Sequence, residues 1–307
     1  MIAEAQTWLS NGKLLITGEY LVMEGALSLA IPINKHQSLS VRSNTLDCIV
    51  WKAYISDREW FTATFGLLKL DIIDTDNHEI AKKLQDILVA ARQLSSNFLS
   101  NVNNGFDVET IVDFNIEYGF GTSSTLISNI AMWANVNPYD LLAKTFGGSG
   151  YDIACARSVS PILYQRLGSK ISVKSVEFSP KFKDKLFFVY LGKKQKSSDS
   201  IKAFKNSGKF SINEIDRISD ITSKILNTND FDEFKMLIDE HEKIMSKVIG
   251  LPTVKSLYFS DLQGSVKSLG AWGGDFVMVA SDDTELETRS YLLDKGFDVI
   301  FGFAELV

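Results

Sequence analysis

Several stretches of this sequence combine glycine with hydroxyl or charged side chains at spacings suited to anion chemistry. Residues 11–20 read Asn-Gly-Lys-Leu-Leu-Ile-Thr-Gly-Glu-Tyr, with Lys13 opening an apolar run and Glu19 closing it. Residues 117–125 read Glu-Tyr-Gly-Phe-Gly-Thr-Ser-Ser-Thr, so Gly119 and Gly121 precede the hydroxyls of Thr122, Ser123 and Ser124. Glycines let backbone N–H groups converge on an anion, a following helix adds its positive end, and hydroxyls can bind phosphate oxygens or Mg2+. Alone, the same string also reads as a glycine turn whose Ser and Thr cap the next helix. Neither a G-x-x-x-x-G-K-[ST] loop nor a dinucleotide G-x-G-x-x-G after a strand occurs.

In residues 147–154, Gly-Gly-Ser-Gly-Tyr-Asp-Ile-Ala, Asp152 follows a flexible loop that contains Ser149. An Asp so placed can orient or deprotonate a substrate hydroxyl, or simply cap the next segment. Gly270-Ala-Trp-Gly-Gly-Asp275 brings Gly270, Gly273, Gly274 and Asp275 to the start of a strand. Residues 191–198 gather Lys193, Lys194 and Lys196 beside Ser197 and Ser198. That run is either a solvated loop or a cation cluster. A hydroxyl acceptor would need Asp152 as proton acceptor, whereas a phosphate acceptor, with a second pKa of about 6, would need cations more.

In their order, these strings resemble the signature segments of the GHMP kinases. NGKLLITGEYLVMEG is similar to PGKxxLxGEYxVxxG, EYGFGTSS to the G-[LIF]-G-S-S phosphate loop, GSGYDIA to the catalytic segment, and KSLGAWGGD to K-x-x-G-A-G-G-G-D. The lysine run resembles the G-K-x-x-S-[ST] segment of the phosphomevalonate kinase branch, with mevalonate kinase close behind. The resemblance implies an ATP-dependent small-molecule kinase acting on phosphomevalonate or mevalonate in isoprenoid precursor synthesis. It implies an α+β, two-lobed GHMP kinase fold: a ribosomal-protein-S5-domain-2-like lobe at 1–170, a ferredoxin-like lobe at 171–307, and an active site in the cleft between them. ATP phosphates would lie on Gly119, Gly121, Thr122, Ser123 and Ser124, with Mg2+ on Ser123. Asp152 would be catalytic, paired with Lys13. Substrate would meet Glu19, Ser149, Lys193, Lys196, Ser197, Ser198, Gly270, Gly273, Gly274 and Asp275.

Four positions depart from the pattern: Asn11 replaces a proline, Thr122 a serine, and Trp272 a glycine, putting a ring where it would narrow or block the site. Leu141 stands about where mevalonate kinases carry a Mg2+-binding Glu, with Asp140 beside it. Loss of turnover in a binding or regulatory protein, or a diphosphomevalonate decarboxylase activity, are the alternatives. The histidines add little: His241 lies on an apolar helical stripe, while His36 and His78 lack metal-ligand spacing.

Strands are predicted across 6–32 and 36–65, at 106–116, 161–167, 186–191 and 276–280, and at 297–303. The helical period predicts helices at 79–94, after Ser124, from the Asn137 cap with Pro138 in the first turn, and near 211–226, 231–249 and 285–293. The polar stretch 168–185 is the candidate boundary. At 307 residues with 45% hydrophobic content, the chain is long enough for two ordered domains, which removes disordered readings. A net charge of −6 argues against nucleic acid as partner, and no apolar run approaches the roughly 20 residues of a membrane span. Two distant cysteines, Cys48 and Cys155, and no secretory leader fit a reducing cytoplasm. A small molecule is the expected partner, and a homodimer is left open.

Overall fold

The computed structural model describes residues 5–100, 104–192, 204 and 210–307. The chain forms two compact units that interleave in sequence. One takes the chain up to Gly12, then Lys35–Ile116 and Gly121–Arg157; the other takes Lys13–Asn34, Glu117–Phe120 and Ser158–Val307. Two early strands, β1 (Gln6–Leu15) and β2 (Ser28–Ser43), therefore run through both.

In the first unit, β3 (Cys48–Ile55), β4 (Arg58–Gly66), β5 (Ile72–Thr75) and β6 (Phe106–Val112) join β2 in the order β5-β4-β3-β6-β2. Of these pairs, β3 with β6 is parallel and the other three are antiparallel. Period-two alternation puts Trp51, Phe61, Phe65, Leu39 and Val108 on one face, where they bury against α1 (His78–Leu94), α2 (Thr122–Ala134) and α3 (Pro138–Lys144). The Asn77 and Asn137 side chains accept backbone N–H groups of Ile80 and Tyr139, capping α1 and α3. A short helix, α4 (Tyr151–Ala156), closes this unit.

In the second unit, β7 (Ile162–Leu167) pairs with residues 28–30 of β2 and with β8 (Lys170–Ser175). The boundary expected at 170/171 falls at the first residue of β8, which pairs along its length with β7. Its polar composition reflects an exposed strand, because nearly every residue of β8 faces solvent. A four-stranded antiparallel sheet, β10-β11-β9-β12, follows from β9 (Leu186–Tyr190), β10 (Gly264–Leu269), β11 (Phe276–Ser281) and β12 (Ile300–Gly302). The helices here are α5 (Ile212–Asn227), α6 (Phe231–Ile249), α7 (Val254–Tyr258), α8 (Glu285–Asp294) and α9 (Phe303–Leu306).

Several boundaries differ from expectation. β6 stops at Val112 and gives way to a 3₁₀ turn at Ile116–Tyr118, and the last strand shrinks to three residues before α9. β10 was not among the expected strands; its polar Ser265, Lys267 and Ser268 are all buried. Among the described residues, no helix is long and apolar enough to cross a membrane.

Candidate active site

The second unit holds Lys13 and one end of the 117–124 glycine loop. Lys13, on β1, donates its backbone N–H to Phe120 O at 3.0 Å and its Nζ to Gly119 O at 3.0 Å. An ammonium is thus kept where the loop begins. Phe120 stacks on Phe276 with centroids 4.8 Å apart, and Tyr118 packs edge-on to the same ring. Tyr190 Oη donates to Glu117 O at 3.3 Å, so aromatic packing fixes the approach to the loop. Gly119 has φ 66°, and a Cβ there would collide with the Asp275 carboxylate. Both left-handed backbone and close approach therefore require glycine.

The first unit holds the rest of the loop. Gly121, φ 96°, is the N-cap of α2; no side chain caps that helix and its first turn carries no acid. The positive end of α2 is therefore neither capped by the side chain of its N-cap residue nor offset by an acid of its own first turn. Ser124 is buried with Oγ donating to Gly121 O at 2.7 Å, while Ser123 is exposed. A buried polar network anchors α2: Thr125 Oγ1 donates to Gln37 Oε1 at 2.5 Å, Asn129 Nδ2 to Gln37 O at 2.9 Å, and Ser10 Oγ to Asn129 Oδ1 at 2.7 Å.

Asp152 lies half-buried in the first turn of α4, entered through left-handed Gly147, Gly148 and Gly150, with Ser149 buried between them. At the far end of α4, Arg157 Nε donates to Ser128 Oγ on α2 at 3.3 Å, tying together the two helices that carry Asp152 and Ser123. Burial raises the Tyr139 hydroxyl pKa, opposed by the nearby Arg157 guanidinium.

Glu19 does not present its carboxylate to solvent as a substrate ligand would. It is 1% exposed, with Oε1 accepting from Lys267 Nζ at 2.7 Å and Oε2 lying 3.3 Å from His241 Nε2. His241 is a core residue, its Nε2 accepting the Gly18 N–H at 3.0 Å. Glu242 completes the cluster, with Oε1 3.9 Å from Lys267 Nζ and Oε2 accepting from Ser268 Oγ at 3.3 Å. Burial is the first cause of each shift here: it raises Glu19, pushes Glu242 up to about 8 and lowers His241 well below the usual histidine range. Sequence reasoning gave no role to Glu242 or to Lys267, although Lys267 opens the KSLGAWGGD string three residues before Gly270.

Trp272 does not project into the glycine loop as its size suggested. The ring turns into its own unit, where Nε1 donates to Pro252 O at 3.1 Å. Gly270, φ 74°, and Gly273, φ 75°, have no described atom within 4 Å of a Cβ position, so that face of the loop is open among the described residues. Lys193, Lys196, Ser197 and Ser198 lie outside the described residues.

No family model matches the sequence, and no curated protein matches it. The fold, by contrast, has solved counterparts. Mevalonate kinase from Methanococcus jannaschii superposes with a TM-score of 0.70 at 15% identity, covering 97% of this chain and 98% of that one. Phosphomevalonate kinase from Streptococcus pneumoniae, solved with phosphomevalonate and AMPPNP, gives 0.69 at 17% identity over 96% and 99%. Galactokinase from Lactococcus lactis, solved with galactose, gives 0.67 at 11% over 95% and 89%. The fold is that of the GHMP kinases, in agreement with the motifs.

The donor set bears on the Mg2+ that this fold implies. Leu141 is fully buried in the apolar core of the first unit and supplies no carboxylate, and the adjacent Asp140 is exposed. No cluster of three or more His, Cys, Asp or Glu ligands exists among the described residues. An exposed serine hydroxyl at an uncapped helix end fits an ion that arrives largely coordinated by nucleotide phosphates.

Proposed function

We propose that this chain is an ATP-dependent small-molecule kinase that phosphorylates phosphomevalonate or mevalonate on the route to isoprenoid precursors. The observation that carries the reading is the entry to α2: left-handed Gly119 and Gly121, no side-chain cap, no acid in the first turn and an exposed Ser123. Such an entry suits a triphosphate. Gly119, Gly121, Thr122, Ser123 and Ser124 would receive the phosphates, and Ser123 would hold Mg2+, which would supply positive charge against them. Lys13 contributes a further cation.

In the transfer, an acceptor oxygen bonds to the γ-phosphorus as the bond to ADP breaks. Asp152 takes the proton of a hydroxyl acceptor; an already ionised phosphate acceptor needs no such base and relies on the cations instead. Positioning and charge stabilisation dominate such chemistry. Gly270, Gly273, Gly274 and Asp275, with Ser149 and with Lys193, Lys196, Ser197 and Ser198, would contact the acceptor.

A second reading, a GHMP-fold protein that binds ligand without turnover, is favoured by Leu141 standing in the apolar core. ADP formation with ATP, Mg2+ and a panel of mevalonate, phosphomevalonate, homoserine and sugars separates the two. Turnover with a mevalonate-type acceptor is expected; ATP binding without ADP from any acceptor supports the second reading. Release of CO2 from diphosphomevalonate would mark a decarboxylase instead.

A further inference from the structure

Tyr20 occupies backbone that a bulky residue rarely adopts, with φ 59° and ψ −49°. A non-glycine residue there is strained, and such outliers persist where surrounding contacts over-determine them. One residue earlier, Glu19 is bonded to Lys267 of β10; at Tyr20 itself, the hydroxyl accepts the backbone N–H of Trp272 at 2.8 Å. The Tyr20 ring is buried and packs on Phe204 with centroids 5.4 Å apart. Successive residues of the first motif thus grip both the strand leading into the 270–275 loop and the middle of that loop.

The loop is tied at other points too. Lys267 Nζ donates to Ser268 O at 2.9 Å, Gly274 N–H to Ala271 O at 3.2 Å, and Leu191 N–H to Asp275 O at 2.8 Å. Three of its residues, Gly270, Gly273 and Asp275, are left-handed. Without anchors, such a run of glycine would sample many conformations. Trp272 supplies two of the anchors, one through its backbone on Tyr20 and one through its indole on Pro252.

We propose that Tyr20 and Trp272 are positioning residues that hold the 270–275 loop in one ligand-ready conformation, Trp272 taking by side-chain anchoring the place of flexibility that glycine would give. The inference rests on the reading of 270–275 as part of the ligand site. The loop's open face at Gly270 and Gly273 is then preorganised, and ligand binding incurs less ordering entropy.

Tyr20→Phe keeps the ring and removes the acceptor; Trp272→Phe keeps a ring and removes the indole donor. Hydrogen exchange of the full chain, read at the 270–275 amides, is expected to accelerate about threefold to tenfold in Tyr20→Phe, the usual worth of one hydrogen bond. The KM for the acceptor is expected to rise by a similar factor with kcat nearly unchanged. Trp272 is the single tryptophan of the second unit, since Trp8, Trp51, Trp60 and Trp133 fall in the first. Its fluorescence, taken as Tyr20→Phe minus Tyr20→Phe/Trp272→Phe and compared with wild type minus Trp272→Phe, should therefore report the same loosening. Unchanged loop exchange in Tyr20→Phe, with the variant folded, overturns the proposal, as does faster exchange with unaltered kinetics. If the wild type turns over no acceptor, the kinase reading fails separately. The affinities for ATP and for each acceptor then decide: equal affinities in wild type and both variants overturn the positioning role, and weakened ones sustain it.

Discussion

Gly119 and Gly273 are both left-handed, yet their surroundings differ, and that difference is measurable. At Gly119 a methyl group would meet the Asp275 carboxylate, while at Gly273 it would enter open space among the described residues. Gly273→Ala should therefore cost only the left-handed penalty, about 1–2 kcal/mol. Gly119→Ala should cost more in urea unfolding, because Asp275 must also move. Equal losses would show that Asp275 yields freely. For the chemistry, Asp152→Asn and Lys13→Ala should each lower ADP formation by orders of magnitude with unchanged circular dichroism. Near-normal turnover in either variant would remove the role assigned to it. Glu19 shows the limit of motif reading: its position in the string suggested substrate, but what fixes its role is Lys267, 248 residues downstream.

The pair of elements that decides the second unit's electrostatics is β10 against α6. Lys267 there faces two carboxylates, Glu19 and Glu242, with His241 alongside and all four buried. Lys267→Met would leave those carboxylates without a cation and should destabilise by about 3–5 kcal/mol. Glu242 has its pKa raised from an ordinary 4.5 to about 8, so the native state holds that proton more tightly than the unfolded chain. Its contribution is full below pH 4.5 and is lost as pH rises through 8. Thermal melts should show wild-type stability falling between about pH 4.5 and 8, and Glu242→Gln, which stays neutral, should flatten that fall. An unchanged slope in the variant would mean that Glu242 is not the titrating group. The long periodic elements were legible: the stripe of α6 and the Asn137–Pro138 start of α3 stand as the pattern implied. β10 was not, because burial of Ser265, Lys267 and Ser268 depends on partners in α6 and the first motif that no local pattern reveals. The glycine loops were legible in composition, whereas the Tyr20 to Trp272 bond joins residues 252 positions apart.

At the scale of the whole molecule, the interleaving of the two units matters more than any boundary. Residues 13–34 belong with 158–307, and they carry the fully buried Ile16, Leu21, Leu29 and Ile31. A fragment of residues 1–157 keeps that apolar run but lacks the chain that completes its unit. It should aggregate or bind a hydrophobic dye, whereas the full chain should not; a soluble monomer with a cooperative melt would show that the first unit is self-sufficient. The same topology sets a clock during synthesis. At about 5–20 residues per second, Glu19 emerges roughly 12–50 s before Lys267, which lies 248 positions later. For that interval a buried-to-be carboxylate and its flanking strands must wait without their partners, so the ribosome's pace and any holding chaperone become part of how this fold is reached.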